Sequence, residues 1–276
     1  MTTLITGVSG TVGSRFARRM LDRHEPFRVL VRTEEQATRW WDAGVEVLFG
    51  DLRDPGVAER AVERFSAVVH IAAAFRGVPD AEAWVVNRDA TIALAEAAAK
   101  EGVGRFVLTS TTLTYGPGRG RPNVEDDELR PSGAYPESKR EAERALRAMP
   151  DLGLRIVRLA FVYGEGDPHL KNSLRWAARW PAHQRLHLVH HADASQGLYL
   201  ALHTEGIDGG VYNIADDAPV TAWELHAVNG ERYPVSNDQE LADPWEGIAS
   251  TARARRDLGY RPIYPTLYTA IAAGAL

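Results

Sequence analysis

The sequence predicts an α/β fold: a doubly wound parallel sheet with helices on both faces and a small C-terminal lobe. Three observations carry this. Short β-branched runs alternate with helix-period stretches through the first 160 residues. The first apolar run, Thr3–Thr6, leads straight into glycines at 7, 10 and 13. The 276-residue chain, with 45% hydrophobic and 25% charged residues, is long enough for one large core plus a lobe and has an ordinary globular balance.

In order, the first strand is Thr3–Thr6. The following helix covers roughly 11–23, with Phe16, Met20 and Leu21 on its apolar stripe. A strand at 28–31 precedes a helix over 33–43, ended by Gly44. The third strand is 45–49, and Pro55 marks the first turn of a helix near 54–65. The fourth strand is 67–71. A long helix then runs from an Asp80 cap to Glu101, stopped by Gly102. The fifth strand, 105–109, opens into a polar Gly/Pro-rich loop over 116–134; a helix over 135–148 stops at Pro150, and the sixth strand is 154–159. Beyond 215 the pattern is helical at 221–228, 250–258 and 266–273, with prolines between.

Composition excludes several classes. The net charge of −5 offers no basic field for nucleic acid or an acidic membrane surface. The arginines are scattered and most read as solvated surface, and lysine occurs only at 100, 139 and 171. No cysteine means no disulfide framework and no thiolate metal site. No run of about 18 apolar residues is present, so no membrane span is expected. The first strand starts too early for a signal peptide, and a cytoplasmic protein is expected.

The glycine turn reads as a phosphate cradle. Gly7 permits the tight strand-to-helix turn, Gly10 removes a side chain where backbone meets a pyrophosphate, and Gly13 lets the helix pack closely. The helix then aims unpaired N–H groups and its positive dipole end at the phosphates. The second strand ends at Arg32, where a ribose 2′-OH would usually meet an acid; an arginine suits a 2′-phosphate and favours NADP over NAD. Glu34 or Glu35 could still reach the ribose, and Arg15 is a second candidate for the phosphate. Tyr135 and Lys139 form a YxxxK, which a helix presents on one face. A free tyrosine, with a pKa of about 10, is a poor base; a neighbouring ammonium favours its phenolate. The hydroxyl-rich run Thr109–Tyr115 follows the fifth strand, at the end of the sheet where ligands of open α/β sheets bind. Asp51 and Leu52 follow the third strand, where an adenine would lie.

Taken together, these motifs resemble the extended short-chain dehydrogenase/reductases, the NAD-dependent epimerase/dehydratase family, with a Rossmann-type core. The matching residues run from the TGxxGxxG of residues 6–13 through Gly50-Asp-Leu-Arg-Asp54, His70-Ile-Ala-Ala73 and Asn87. They continue with Ser110-Thr-Thr-Leu-Thr-Tyr-Gly116, Tyr135/Lys139 and Arg158-Leu-Ala-Phe-Val-Tyr-Gly164. Weaker matches follow at 189–193 and 211–214. The resemblance implies that Tyr135 is the general acid/base, that Lys139 holds the nicotinamide ribose, and that Thr111 polarises the substrate oxygen, with Ser110 as backup. It implies that Gly7, Gly10, Thr11, Val12 and Gly13 line the pyrophosphate and that Asp51 and Leu52 bracket the adenine. Ala72 and Ala73 would lie on the adenosine side, Thr109 beneath the cofactor, and Leu159 and Val162 beside the nicotinamide. Asn87 would brace the cofactor region from its helix. A homodimer pairing through the helices 80–101 and 135–148 is also implied.

Two departures narrow the reaction. Thr111 is followed by Thr112-Leu113, where the sugar dehydratases carry Asp-Glu, so the acid/base pair for eliminating water is missing. The segment 186–193 lacks the first acid of the family's nucleotide-sugar motif and has its arginine displaced to Arg185. This counts against a diphosphate sugar. His190 and His191, adjacent on a strand, would face opposite ways and are not read as a metal site. Trp176 and Trp180 lie one helical turn apart, as packing or as a wall of an apolar pocket. The acidic 125–128 stretch reads as a solvated loop or a lid.

The expected organisation is a dinucleotide-binding core at 1–164 and 185–214, with a substrate lobe from 165–184 and 215–276. The expected function is an NAD(P)-dependent oxidoreductase acting on a ketone or secondary alcohol of a small metabolite. A sugar epimerase holding NAD tightly and a non-catalytic dinucleotide sensor are the alternatives.

Overall fold

The computed structural model describes residues 2–75, 77–234 and 240–276. Residues 235–239 of the expected lobe lie outside the described residues. The first half reads β1 (Thr3–Thr6), α1 (Thr11–Asp22), β2 (Phe27–Val31), α2 (Glu34–Trp41), β3 (Glu46–Phe49), α3 (Val57–Val62), β4 (Ala67–His70), α4 (Asp80–Trp84), α5 (Ala90–Glu101) and β5 (Arg105–Thr111). There follow α6 (Ala134–Arg147), β6 (Leu154–Leu159), β7 (Phe161–Tyr163), α7 (His169–Ala177), β8 (Arg185–Leu186), β9 (Leu188–His190), α8 (His191–His203) and β10 (Val211–Ile214). The chain ends with β11 (Val220–Thr221), α9 (Ala222–Val228), α10 (Ala252–Asp257) and α11 (Leu267–Ala272).

Seven strands form one parallel sheet in the order β10-β6-β5-β4-β1-β2-β3. The chain leaves β3 at one edge and returns on the other side of β1 as β4, so the order reverses between β1 and β4. A crevice opens at that switch point, outside the carboxyl ends of the strands. The register sets Thr6 beside His70 and Thr111 beside Leu159, which brings the ends of four strands to one rim.

The central strands are buried on both faces because helices cover both, while the edge strand β3 stays partly exposed. On one face Phe16, Ala17 and Met20 of α1, spaced as a helical stripe, pack with Leu198 and Leu202 of α8. On the other, Val57, Leu94 and Leu146 bring α3, α5 and α6 onto the sheet. A third apolar cluster joins α7, β9, β11, α9 and α11 through Leu170, Leu188, Leu225 and Leu267. Buried Asp193 ties the chain's end to this body by accepting from the backbone N–H groups of Ile263 and Tyr264.

Several sequence expectations are corrected. The helix expected over 54–65 begins only at Val57, because Gly56 sits at φ 74°, a left-handed conformation that helix cannot include. The long helix from Asp80 is two α-helices joined by a π-type turn at Val85–Asp89, and its cap is Pro79 rather than Asp80. The extra residue of a π-type turn shifts the apolar phase by one position, but the helix that follows, ATIALAEAAAKE, is alanine-rich around its circumference, so the sequence does not reveal the shift. His191 is not on a strand: His190 ends β9 and caps α8, accepting from Ala192 N–H, while His191 opens that helix and bonds Asp167 at 2.7 Å. Within the stretch expected to form the lobe, α10 instead packs on the sheet, with Ala254, Leu258 and Tyr260 in the core beside β10. Arg155 and Arg158 are the fully buried exceptions among the described arginines, most of which the sequence predicts at the surface. No helix among the described residues is long and apolar enough to cross a membrane.

Candidate active site

The crevice is a cavity of about 1180 Å³ lined by the glycine turn, the ends of β1, β2, β4 and β5, the start of α6, and α7. Clefts for one small ligand hold roughly 300–1,000 Å³, so this one has room for a dinucleotide and a second molecule.

The turn after β1 fits a pyrophosphate. Gly7 has φ 76°, and a Cβ there would lie 2.5 Å from Ala72 N. A Cβ on Gly13 would lie 2.2 Å from the Gly7 carbonyl, so the close approach is to the turn itself. A Cβ on Gly10 would meet only the Gly7 oxygen, at 3.4 Å. The protein's own packing therefore does not demand glycine at 10; the open backbone does, as a cradle for a ligand's phosphates requires. Thr11 and Val12 continue the same wall. Among the described residues the buried hydroxyl of Thr109, which also belongs to the wall, has no hydrogen-bond partner.

Beneath the turn, Thr6 Oγ accepts from the N–H groups of Ile71 and Ala72, both at 3.2 Å. Its proton is left for His70 Nδ1 at 2.8 Å, so His70 must donate from Nε2 to Thr91 at 2.9 Å. The imidazole is neutral: burial, and then the Lys139 charge, push its pKa from 6.5 down to about 3. The unfolded chain protonates His70 near its ordinary value and the folded protein does not. Between those values stability therefore falls as pH falls, by up to about 1.4 kcal/mol per pH unit. His187, pushed by burial to about 4, adds to this slope, while buried Asp216, raised to about 8, opposes it between its ordinary pKa and that value. His70→Asn is expected to flatten the acid limb between about pH 6.5 and 4, measured as urea midpoints against pH beside the parent.

At the end of the cavity beside β2 and β3, Asp51 and Leu52 line it with Arg32, Gln36 and Arg53. Arg53 holds Asp51 through two side-chain hydrogen bonds of 2.7 and 3.0 Å and keeps its carboxyl below the usual range. Exposed Arg32 lies 3.8 Å from the same carboxylate, and its backbone N–H donates to Gln36. Glu34 and Glu35 fall in the first turn of α2 and do not line the cavity. Arg15, the second phosphate candidate, bonds the carbonyls of Thr11 and Glu165 and does not line the cavity. Sequence reasoning missed Arg53, although the Asp51-Leu52-Arg53 run placed it next to a named residue.

At the other end, Tyr135 and Lys139 both line the cavity from α6. Gly133 N–H is capped by Glu137, and Pro136 sits in the first turn, where a missing N–H costs nothing. Lys139 is buried, and burial brings its ammonium down to about 8 despite the opposing pull of Glu143. Thr111 faces the same space from the end of β5. Its Oγ accepts from Leu113 N–H at 3.2 Å, which leaves the O–H to donate elsewhere. Ser110 is different, and its backup role is corrected. Its proton goes to Glu143 at 2.5 Å, so it has none to offer a substrate. Asn87 does not line the cavity; its buried amide clamps both backbone groups of Ala74, at 2.8 and 2.9 Å, and reaches Ser138 of α6 at 3.2 Å. The π-type turn sets it there, holding the loop after β4 against the helix of Tyr135. Ala72, Ala73, Leu159 and Val162 complete the walls.

Behind this wall lies a buried charged network. Glu143 takes two bonds from Arg158, which also donates to Tyr115 Oη at 2.9 Å and the Glu125 carbonyl at 3.2 Å. Tyr115 donates to Asn213 at 2.7 Å, and Asn213 N–H donates to the Glu125 carboxylate at 3.0 Å. Burial works against the Arg158 charge, but Glu143 prevails and holds it above its ordinary pKa. In the acidic loop at 125–128, Glu125 is buried, whereas Asp126 and Glu128 stay exposed as a solvated loop would have them; Asp126, Asp127 and Glu128 each pair with an arginine, and none of the four lines the cavity.

The NAD dependent epimerase/dehydratase family matches residues 3–215. A ceramide reductase of Caulobacter vibrioides is 31% identical over 200 residues, 70% of this chain and 58% of that protein. The chain thus spans less than two thirds of that relative. A Stigmatella aurantiaca protein named 4-hydroxy-2-methyl-3-oxo-4-farnesyl-3,4-dihydroquinoline-1-oxide ketoreductase is 30% identical over 235 residues, 80% of this chain and 70% of its own length. Among solved structures, a short-chain dehydrogenase/reductase superfamily protein from Agrobacterium tumefaciens with bound NAD superposes with a TM-score of 0.81 at 22% identity, covering 99% of this chain and 95% of that one. With the family match covering most of the chain, from the glycine turn past the YxxxK helix, this protein belongs to the NAD-dependent epimerase/dehydratase family, the extended short-chain dehydrogenase/reductases, and is an enzyme.

Proposed function

We propose that this enzyme is an NADP-dependent reductase/dehydrogenase interconverting a ketone and a secondary alcohol of a small molecule. The substrate lies between the sheet's carboxyl edge and the lobe formed by α7, α9 and α11. The observation that carries this is the Thr111 hydroxyl, with one lone pair taken by Leu113 N–H and its proton available, on the wall shared by Tyr135 and Lys139. The relatives named as reductases support the direction.

The glycine turn and the first turn of α1 bind the pyrophosphate, Asp51 and Leu52 flank the adenine, and Leu159 and Val162 border the nicotinamide. A bound reduced nicotinamide supplies the hydride to the carbonyl carbon and is itself oxidised. Thr111 donates to the carbonyl oxygen and fixes its position. Tyr135 Oη passes its proton to that oxygen, so the C=O π bond is replaced by one C–H and one O–H bond. The Lys139 ammonium, one helical turn away, stabilises the phenolate this leaves and bonds the ribose hydroxyls. The tyrosine is reprotonated from solvent, and in oxidation the steps reverse.

The preference for NADP rests on Arg32, exposed at the adenine end, with the nearby Asp51 charge already engaged by Arg53. Fluorescence titration tests it. NADPH is expected to bind more tightly than NADH, and Arg32→Ala to weaken NADPH roughly 10- to 100-fold, the worth of a charged hydrogen bond. NADH is expected to change little. Equal losses for both nucleotides would remove the preference.

A further inference from the structure

We infer that the carbonyl substrate is an apolar molecule carrying at least one flat ring, held on an aromatic wall that starts at the catalytic tyrosine; this rests on the reductase reading above. The Tyr135 ring lies 4.5 Å from Phe75, and Phe75 stands edge-on to His169 at 6.1 Å. His169 stacks on Phe161 at 4.0 Å and 24°, Phe161 meets Trp176 at 6.0 Å, and Trp176 meets Trp180 at 4.6 Å. All six rings line the same cavity. They come from α6, the loop after β4, β7, and α7 with the turn beyond it, so the fold rather than one amphipathic helix assembles them.

Packing alone does not account for the wall. Rings that serve only to seat a helix are covered by it, yet Phe75 is 37% exposed and Leu113, which lines the same cavity, is 54% exposed. Leaving such surface in water is unfavourable, and a flat apolar ligand would cover it and gain ring–ring contacts. His169 adds to the flat face: its Nδ1–H donates to the Val162 carbonyl at 3.0 Å, which fixes the ring plane over Phe161.

Two of the described charges at this end are engaged by the protein. Arg185 donates to the Pro244 carbonyl at 2.6 Å and lies over the Trp245 ring. Asp167 accepts from His191 at 2.7 Å and from His169 N–H at 2.9 Å. The six rings, by contrast, present apolar faces to the cavity, which an apolar ring system matches.

The test uses the whole protein and two ketones, 2-acetylnaphthalene and dihydroxyacetone. With NADPH, kcat/KM for the naphthyl ketone is expected to exceed that for dihydroxyacetone by about 100-fold or more. Trp176→Ala and Phe161→Ala are each expected to lower that ratio about tenfold, chiefly through the naphthyl KM, since one ring contact and its buried area are lost. Trp176→Leu, which keeps an apolar side chain against the lobe, is expected to lower it in the same direction and guards against collapse of α7. A second readout needs no turnover: quenching of tryptophan fluorescence by 2-acetylnaphthalene with NADP⁺ bound, weakened in Phe161→Ala by a rise in the concentration that half-saturates it. If neither ketone is reduced but that quenching and its weakening are seen, the ring-binding wall stands and the reductase reading falls. If dihydroxyacetone is reduced as well as the naphthyl ketone, and the ratio is indifferent to Trp176 and Phe161, the reductase reading stands and the aromatic substrate is overturned.

Discussion

Tyr135→Phe is expected to lower turnover by about 10²- to 10⁴-fold, the usual contribution of a positioned acid/base, while the protein stays folded and still binds its nucleotide. The substitution keeps the ring, and hence the 4.5 Å contact with Phe75; it removes only the hydroxyl that exchanges the proton. Lys139, whose ammonium burial already brings down to about 8, keeps its place on α6. The loss should therefore appear in kcat, with nucleotide affinity nearly unchanged and an unaltered thermal transition. Steady-state kinetics alongside a nucleotide titration separate the two. Turnover within a few-fold of the parent would remove Tyr135 from the chemistry.

The largest stability effect is expected at Arg158. Its guanidinium is buried with Glu143, which it bonds through two nitrogens, and it also holds Tyr115 and the Glu125 carbonyl. Arg158→Met leaves a buried carboxylate without its cation, which typically costs about 3–5 kcal/mol. For a chain of this size that corresponds to roughly 6–20 °C in Tm. Glu143 is also the acceptor for Ser110, beside Thr111, and it sits one turn beyond Lys139 on α6. The variant should therefore lose activity as well as stability. Replacing both partners, Arg158→Met with Glu143→Leu, should cost less than the sum of the single changes, because no charge is then left unpaired. Additive losses measured by thermal unfolding would mean that the pair is not the unit described.

Much of this was legible in the chain. The glycine turn, the alternating strands and helices, and the YxxxK spacing depend on local periodicity, and local periodicity survives into the fold. Almost every residue expected to meet the cofactor lines one cavity. What was not legible depends on side-chain commitments across the fold. Ser110 and Thr111 are neighbours with interchangeable chemistry on paper. Only the long-range contact with Glu143 spends the proton of one, and only the turn after β5 frees the proton of the other. Asn87 could be placed on a helix, but its inward clamp needs a π-type turn that apolar spacing does not reveal. The acidic run at 125–128 read as solvated or as a lid, because charge in sequence carries no sign of the arginines that hold it. The aromatic wall was half visible, as Trp176 and Trp180; Phe75 and Phe161 join it only through tertiary packing.

The account turns on hydride passing from nicotinamide to a carbonyl carbon while Tyr135 supplies the proton. The direct measurement follows deuterium from NADPH labelled at nicotinamide C4, on each face in turn, into the product of a ketone reduction. One face is expected to deliver a single deuterium to the carbinol carbon, with one nucleotide oxidised per alcohol formed and with the flux collapsing in Tyr135→Phe. Alcohol free of label from either face, or a substrate converted with no net oxidation of NADPH, would contradict it.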